Sequence, residues 1–154
     1  MTKIIGILNL TLDSFSDGGM YYDLESAKKH ISEMIIKGAD IIDIGAESTR
    51  SGFSDVSADT QINTLTPIIE FINKNHDIKI SIDTRSSEVI NAFSSQNILF
   101  VNDVSSGLHD MNMLKTVSHL KCNYIMTHMP AEHQKGLNKK YNNVLDELNI
   151  FFNE

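Results

Sequence analysis

The sequence predicts an α/β fold built on a parallel sheet, and three observations lead there. Five short apolar runs rich in Ile and Val recur without strict alternation, the pattern of strands covered on both faces. Helical patterns separate them, so the order is βαβα repeated five times. Two long connections, 9–23 and 45–57, both follow strands, and parallel folds place their chemistry on loops at the carboxyl ends of strands.

The first strand spans 3–8. The helix after it takes Asp23 as N-cap, sets Leu24, Ala27, Ile31, Met34 and Ile35 on one face, and stops at Gly38. The second strand spans 40–44. A helix starting near Ser57 follows, presenting Ile62, Leu65, Ile68, Ile69 and Ile72, with Pro67 inside the pattern expected to kink or split it. The third strand is 79–82, and its helix runs from about Ser86 to Ser94. The fourth strand is 99–101, and its helix runs from about Met111 to Leu120. The fifth strand is 123–126, and the last helix starts near Tyr141 and carries Val144, Leu148 and Phe151 or Phe152.

A chain of 154 residues fits a single domain and can bury a real core. With 41% apolar and 21% charged residues, no apolar run near membrane-spanning length and no signal-peptide pattern, it reads as soluble, not secreted, and cytoplasmic. A net charge of −7 argues against a nucleic-acid partner and sits awkwardly with an anionic substrate. Cys122, the only cysteine, excludes an internal disulfide and any cysteine-rich metal site, and reads as a buried inert thiol. The only two arginines, Arg50 and Arg85, fall just beyond strand ends, where a ligand would be.

Four strand tips end alike in small polar, acidic and glycine residues: Asn9 to Gly19, Asp43 to Arg50, Ser81 to Arg85 and Val101 to Gly107. Four such tips argue for one shared site. The Asn9 amide oxygen suits Mg²⁺ or a ligand hydroxyl, and equally a loop that bonds its own backbone. Asp83 is either an acceptor for the guanidine-like edge of a heterocycle or the N-cap of the next helix. Asp43 lies inside its strand and is either a ligand contact or a buried, hydrogen-bonded acid. Asn102 can donate and accept toward the same heterocycle, and Asp103 can cap the following turn. Arg50 can pair with phosphate or carboxylate. His128 and His133 are spaced wrongly for a zinc site on one helical face. Read from the residues alone, the chain binds a small polar heterocyclic or anionic ligand, with the reaction open.

Together the four tips resemble those of the dihydropteroate synthase family of folate biosynthesis. Asn9-Leu10-Thr11-Leu12-Asp13-Ser14-Phe15-Ser16-Asp17-Gly18-Gly19 is similar to the first family signature, and the run from Gly38 to Arg50 to the second. Asp83-Thr84 and the run from Asn102 to Gly107 are similar to its pterin-contacting tips. The resemblance implies one pterin-binding domain over 1–154, of the parallel (β/α)₈ TIM-barrel type truncated to about five βα units. It implies a transferase joining 6-hydroxymethyl-7,8-dihydropterin diphosphate to 4-aminobenzoate, giving 7,8-dihydropteroate and diphosphate. By the same resemblance Asn9 holds Mg²⁺ and the diphosphate, Asp83 and Asn102 bind the pterin, and Asp13, Thr49 and Arg50 are catalytic residues on two loops around aminobenzoate. Diphosphate departs to leave a pterin cation, which the arylamine attacks, so positioning and charge stabilisation carry the catalysis.

Leu12 and Ser51 stand where the family usually has proline, and each loss leaves a catalytic loop less stiff. The family's acidic sixth-strand tip, its lysine after strand seven and its Arg-x-His after strand eight lie beyond the five units counted here. Five barrel strands leave two edges and an apolar inner face open, which predicts self-association or a partner chain completing the barrel. Two alternatives stand beside the synthase: a folate-dependent methyltransferase barrel, and a non-catalytic pterin-binding subunit.

Overall fold

The computed structural model describes residues 2–10, 24–47, 55–128 and 141–153. Five strands, β1 (Ile5–Asn9), β2 (Ile41–Gly45), β3 (Lys79–Asp83), β4 (Ile98–Asp103) and β5 (Asn123–Met126), form one sheet in chain order with every pair parallel. Five helices alternate with them: α1 (Leu24–Ile36), α2 (Ala58–Asn75), α3 (Ser87–Ala92), α4 (Met113–Leu120) and α5 (Val144–Asn153). The α/β expectation holds. The fifth strand matches its expected bounds, whereas each of the first four ends one or two residues later, at Asn9, Gly45, Asp83 and Asp103. The apolar pattern stops where side chains turn polar, but the backbone ladder does not read polarity and continues. Beyond β1 the Leu10 N–H still donates to the Gly45 carbonyl at 2.7 Å, and beyond β3 the Thr84 N–H donates to Asn102 at 3.1 Å.

One core holds the layers together. Leu8, Ile42, Ile44, Ile80, Ile82 and Val101 from the sheet meet Ala27 and Ile31 of α1, Leu65, Ile68, Ile69 and Ile72 of α2, Val89 and Ile90 of α3, and Met113 and Val117 of α4. Strand residues alternate between two faces, and only one parity joins this cluster. Helices α1 to α4 therefore cover one face of the sheet, as in a barrel wall and unlike a doubly wound sheet. On the opposite face Ile7 is 59% exposed and Ile5 40%, so β1 is not covered on both faces as its sequence suggested. Burying a side chain such as Ile44 or Ile82 contributes roughly 2 kcal/mol, so these core positions carry the layer packing.

Local signals act as expected at several element ends. Gly38 takes φ +101°, the left-handed conformation that ends α1. The Asp23 cap lies outside the described residues. Ser57 caps α2 by accepting the Thr60 N–H at 3.3 Å. Pro67, expected to kink or split this helix, lies inside a continuous helix of 18 residues. The carbonyl that its ring leaves without a donor belongs to exposed Asn63, where water can serve it. Burial of Leu65, Ile68, Ile69 and Ile72 on the other side then outweighs one missing bond. Helix α3 is shorter than expected, and α5 has no buried residue.

Replacing Pro67 by Ala returns an N–H toward the Asn63 carbonyl and should raise the unfolding free energy by about 1–2 kcal/mol. Urea titration measures this; an unchanged or lower midpoint would mean that the helix has adapted around the ring.

Candidate functional site

Register alone assembles the site. Asn9 pairs with Gly45, Gly45 with Asp83, Asp83 with Asn102 and Asn102 with Ile125, so these five form one row across the sheet near its carboxyl edge. The next row inward is Ile7, Asp43, Ser81, Phe100 and Asn123. In-register partners on parallel strands share a face, so both rows line the face away from the helices. Three of the six predicted site residues, Asn9, Asp83 and Asn102, thus stand in a single row. The other three, Asp13, Thr49 and Arg50, lie outside the described residues, as do Leu12, Ser51 and His133.

One irregularity makes the row possible. Ile80 pairs with Ile98, but Ser81 pairs with Phe100, so Leu99 is an extra residue in β4. Without this bulge Asp83 would face Val101, and Asn102 would turn toward the helices, because a slip of one residue exchanges the faces. With it, Val101 enters the core and Asn102 comes round to the polar face. The Asn102 Nδ2 donates to Asp43 Oδ2 at 3.0 Å across β3.

Gly45 keeps the middle of the row open. A Cβ there would lie 3.1 Å from the Asp83 Cβ and 3.3 Å from its Oδ2, so that Asp83 would have to give by a few tenths of an ångström. Asp83 is not the N-cap that its position allowed. The Ser86 N–H bonds to the Thr84 hydroxyl at 3.2 Å and the Ser87 N–H to Asp110 Oδ2 at 2.8 Å, which leaves the Asp83 carboxyl without a hydrogen-bond partner among the described residues. Burial pushes its pKa up to about 7, with Asp43, Glu47 and Asp103 adding repulsion and Arg85 opposing them. Asp43 is 5% exposed, yet its Oδ1 has no partner among the described residues, and neither does the neighbouring Ser81 Oγ. Unsatisfied buried oxygens side by side on the face away from the helices are expected where something polar is to bind.

Asp103 does cap the following turn. It accepts the N–H groups of Ser105 and Gly107, the Ser105 hydroxyl and, at 2.6 Å, the Tyr124 hydroxyl. Burial, and then that bond to Asp103, raise the Tyr124 pKa well above the phenol range. Arg85 departs from expectation. It is not presented to a ligand: its Nε and Nη2 donate to Glu47 Oε2 and Oε1 at 3.1 and 2.6 Å, and Nη2 also reaches Asp55 at 3.0 Å. Sequence reading missed this pair, since nothing local relates residues 38 positions apart. His128 packs edge-on against Phe151 at 4.8 Å, an aromatic contact. Cys122 is half-buried, and burial pushes its thiol up, as an inert thiol requires.

For a divalent cation the protein donors are few. Among the described residues no group of three or more His, Cys, Asp or Glu could hold a metal. Mg²⁺ needs no such cage where waters and substrate phosphates fill most positions, so the exposed Asn9 amide oxygen fits as one hard donor. No described helix is long and apolar enough to cross a membrane.

A family described as pterin binding enzyme matches residues 5–154. Dihydropteroate synthase of Staphylococcus epidermidis is 43% identical over 138 residues, which cover 86% of this chain and 50% of that protein. Among solved structures, a dihydropteroate synthase from Clostridium difficile, in the presence of pteroic acid, superposes with a TM-score of 0.85 at 36% identity, covering 99% of this chain and 56% of that one. The Xanthomonas albilineans dihydropteroate synthase with 4-aminobenzoic acid gives 0.83 at 33% identity, covering 97% and 53%. The chain spans about half the length of the curated relatives it matches.

The raised Asp83 pKa sets a pH dependence. The folded state binds this proton more tightly than the unfolded chain, so its stabilising effect is complete below about pH 4 and lost as pH rises through 7. Asp83→Asn should therefore gain on the wild type by roughly 2–4 kcal/mol between pH 4 and 8. Paired urea titrations across that range test it, and a difference independent of pH would refute the shift.

Proposed function

The chain belongs to the pterin-binding enzyme family, and from that premise we propose that its strand tips form the pterin side of a dihydropteroate synthase site. The observation that carries this reading is the row Asn9, Gly45, Asp83, Asn102 with Asp43 beneath it. A pterin presents a ring edge rich in N–H donors beside a carbonyl. Carboxyls at Asp83 and Asp43 accept from such donors, and Asn102 both donates and accepts. The unpartnered Asp43 Oδ1 and Ser81 Oγ gain partners when the edge, or water held by it, arrives.

Charge supports the same ligand. Asp43, Glu47, Asp83 and Asp103 share this end of the sheet, and Arg85 is engaged with Glu47. Such a site favours positive charge developing on the heterocycle over a bound anion. In the proposed reaction the diphosphate leaves the pterin methylene and the amine of 4-aminobenzoate takes its place, so positive charge does develop on the ring. Asp83 holds the ring edge. Asn9 lies two strands away, roughly 10 Å, about the span of a bicyclic ring and its methylene. There it would hold Mg²⁺, which when bound neutralises diphosphate oxygens. Asp13, Thr49 and Arg50 are assigned to the aminobenzoate side. The positive charge that meets the leaving diphosphate is assigned to groups outside these five βα units, in the same or a partner chain. A cytoplasmic setting suits these soluble substrates.

The test is turnover of labelled 4-aminobenzoate with the pterin diphosphate and Mg²⁺, alongside calorimetric binding of pteroic acid. Asp83→Asn and Asn102→Ala should each weaken pteroic acid binding about 10- to 100-fold, the effect of stripping a buried polar partner. Binding that is absent in the wild type, or indifferent to both substitutions, would refute the reading.

A further inference from the structure

We propose that Arg85 is a positioning residue whose guanidinium fixes both flanks of the β2–α2 connection against the tips of β2 and β3. The functional value of this clamp rests on the pterin reading above, since Thr49 and Arg50 lie in that connection. The clamp itself stands on geometry alone.

Glu47 follows β2 by two residues and Asp55 precedes α2, and Arg85 binds both: Nε and Nη2 to the two Glu47 oxygens, Nη2 also to Asp55 Oδ1 at 3.0 Å. Its Nη1 lies 3.4 Å from His109 Nδ1. Glu47 Oε1 also accepts the Val56 N–H at 3.3 Å, so one carboxyl joins the flanks directly. A second tie runs beside the first. The Gln61 amide donates to the Val56 carbonyl at 2.9 Å and its oxygen accepts the Thr84 hydroxyl at 2.8 Å. Asp55 is thus tied to Arg85 and the Val56 carbonyl, through Gln61, to Thr84, both just beyond β3, while the Val56 N–H is tied to Glu47 beyond β2.

The electrostatic balance requires an arginine. The Glu47 side chain is only 6% exposed and shares its surroundings with three aspartates, so without a cation it would be a buried, uncompensated charge. A planar fork can bind both Glu47 oxygens and still reach Asp55, whereas an ammonium offers one point charge. The pair leaves Arg85 no unopposed charge for substrate. Its effect on the reaction is therefore through placement.

The experiment uses the full chain with Arg85→Gln and Arg85→Lys, following hydrogen exchange in a peptide covering 55–62 against a reference from β3. Arg85→Gln should speed exchange at 55–57 at least about tenfold and leave the β3 reference unchanged, with Arg85→Lys in between. Affinity for 4-aminobenzoate should fall about tenfold in Arg85→Gln while that for 6-hydroxymethylpterin, which lacks the aminobenzoate group, changes less than about threefold. If Arg85→Gln does not fold, Arg85→Lys carries the test. Exchange unchanged at 55–57, or raised equally in both peptides by Arg85→Lys, overturns the proposal. A wild type that binds neither probe refutes the pterin reading, and the exchange result then still decides the clamp.

Discussion

The structure depends on the parallel pairing that runs from β1 to β5, its register shifted once by the extra residue at Leu99. Each strand pairs with its neighbour in sequence, so every carboxyl end arrives at the same edge and equivalent residues fall into rows. Two consequences follow from one set of backbone hydrogen bonds. Residues of one parity form the apolar layer against which α1 to α4 pack, and those of the other parity form a face whose upper rows are polar. A functional row carried by strands is held more rigidly than one carried by loops, as binding requires.

The polar face is costly to the fold. Carboxyls at Asp43, Glu47, Asp83 and Asp103 are brought close at one end of a small sheet, and the two unpartnered oxygens of Asp43 and Ser81 add to the penalty. Several devices offset it. Asp103 takes four donors, Glu47 is matched by Arg85, and Asp43 receives Asn102. Asp83 receives nothing from the described residues, and its pKa rises instead. The acid that the fold leaves unserved is the one the family resemblance assigns to the ligand, a conflict between stability and function of the kind that marks binding sites.

Relatives and neighbours place the chain in the pterin-binding family over nearly its whole length, while it spans about half of theirs. The residues carrying the resemblance are the ones that the register aligns, so family membership and geometry point to the same end of the sheet. They meet at Asp83 and Asn102, which were chosen by motif and are neighbours by structure.

Much was legible in the sequence because the relevant interactions are local or periodic. Runs of Ile and Val marked all five strands, apolar spacing marked α1 and α2, and Gly38 and Ser57 marked helix ends. The strand-tip motifs pointed to one shared site, and three of the residues they single out, Asn9, Asp83 and Asn102, stand in one row across the sheet. What tertiary structure decided has a different physical origin. The extra residue at Leu99 that turns Asn102 toward Asp43 is a matter of pairing between strands, invisible in a run of apolar letters. Continuity of α2 through Pro67 was settled by burial of its opposite face. Arg85 falls just beyond a strand end in the sequence, where a ligand would be, but only folding brings its partner Glu47, 38 residues away, to it. Sequence alone determined the elements and the chemistry available at their ends, since those depend on near neighbours. Which groups meet, and which are left for a ligand, was decided by contacts that exist only once the sheet has closed its register.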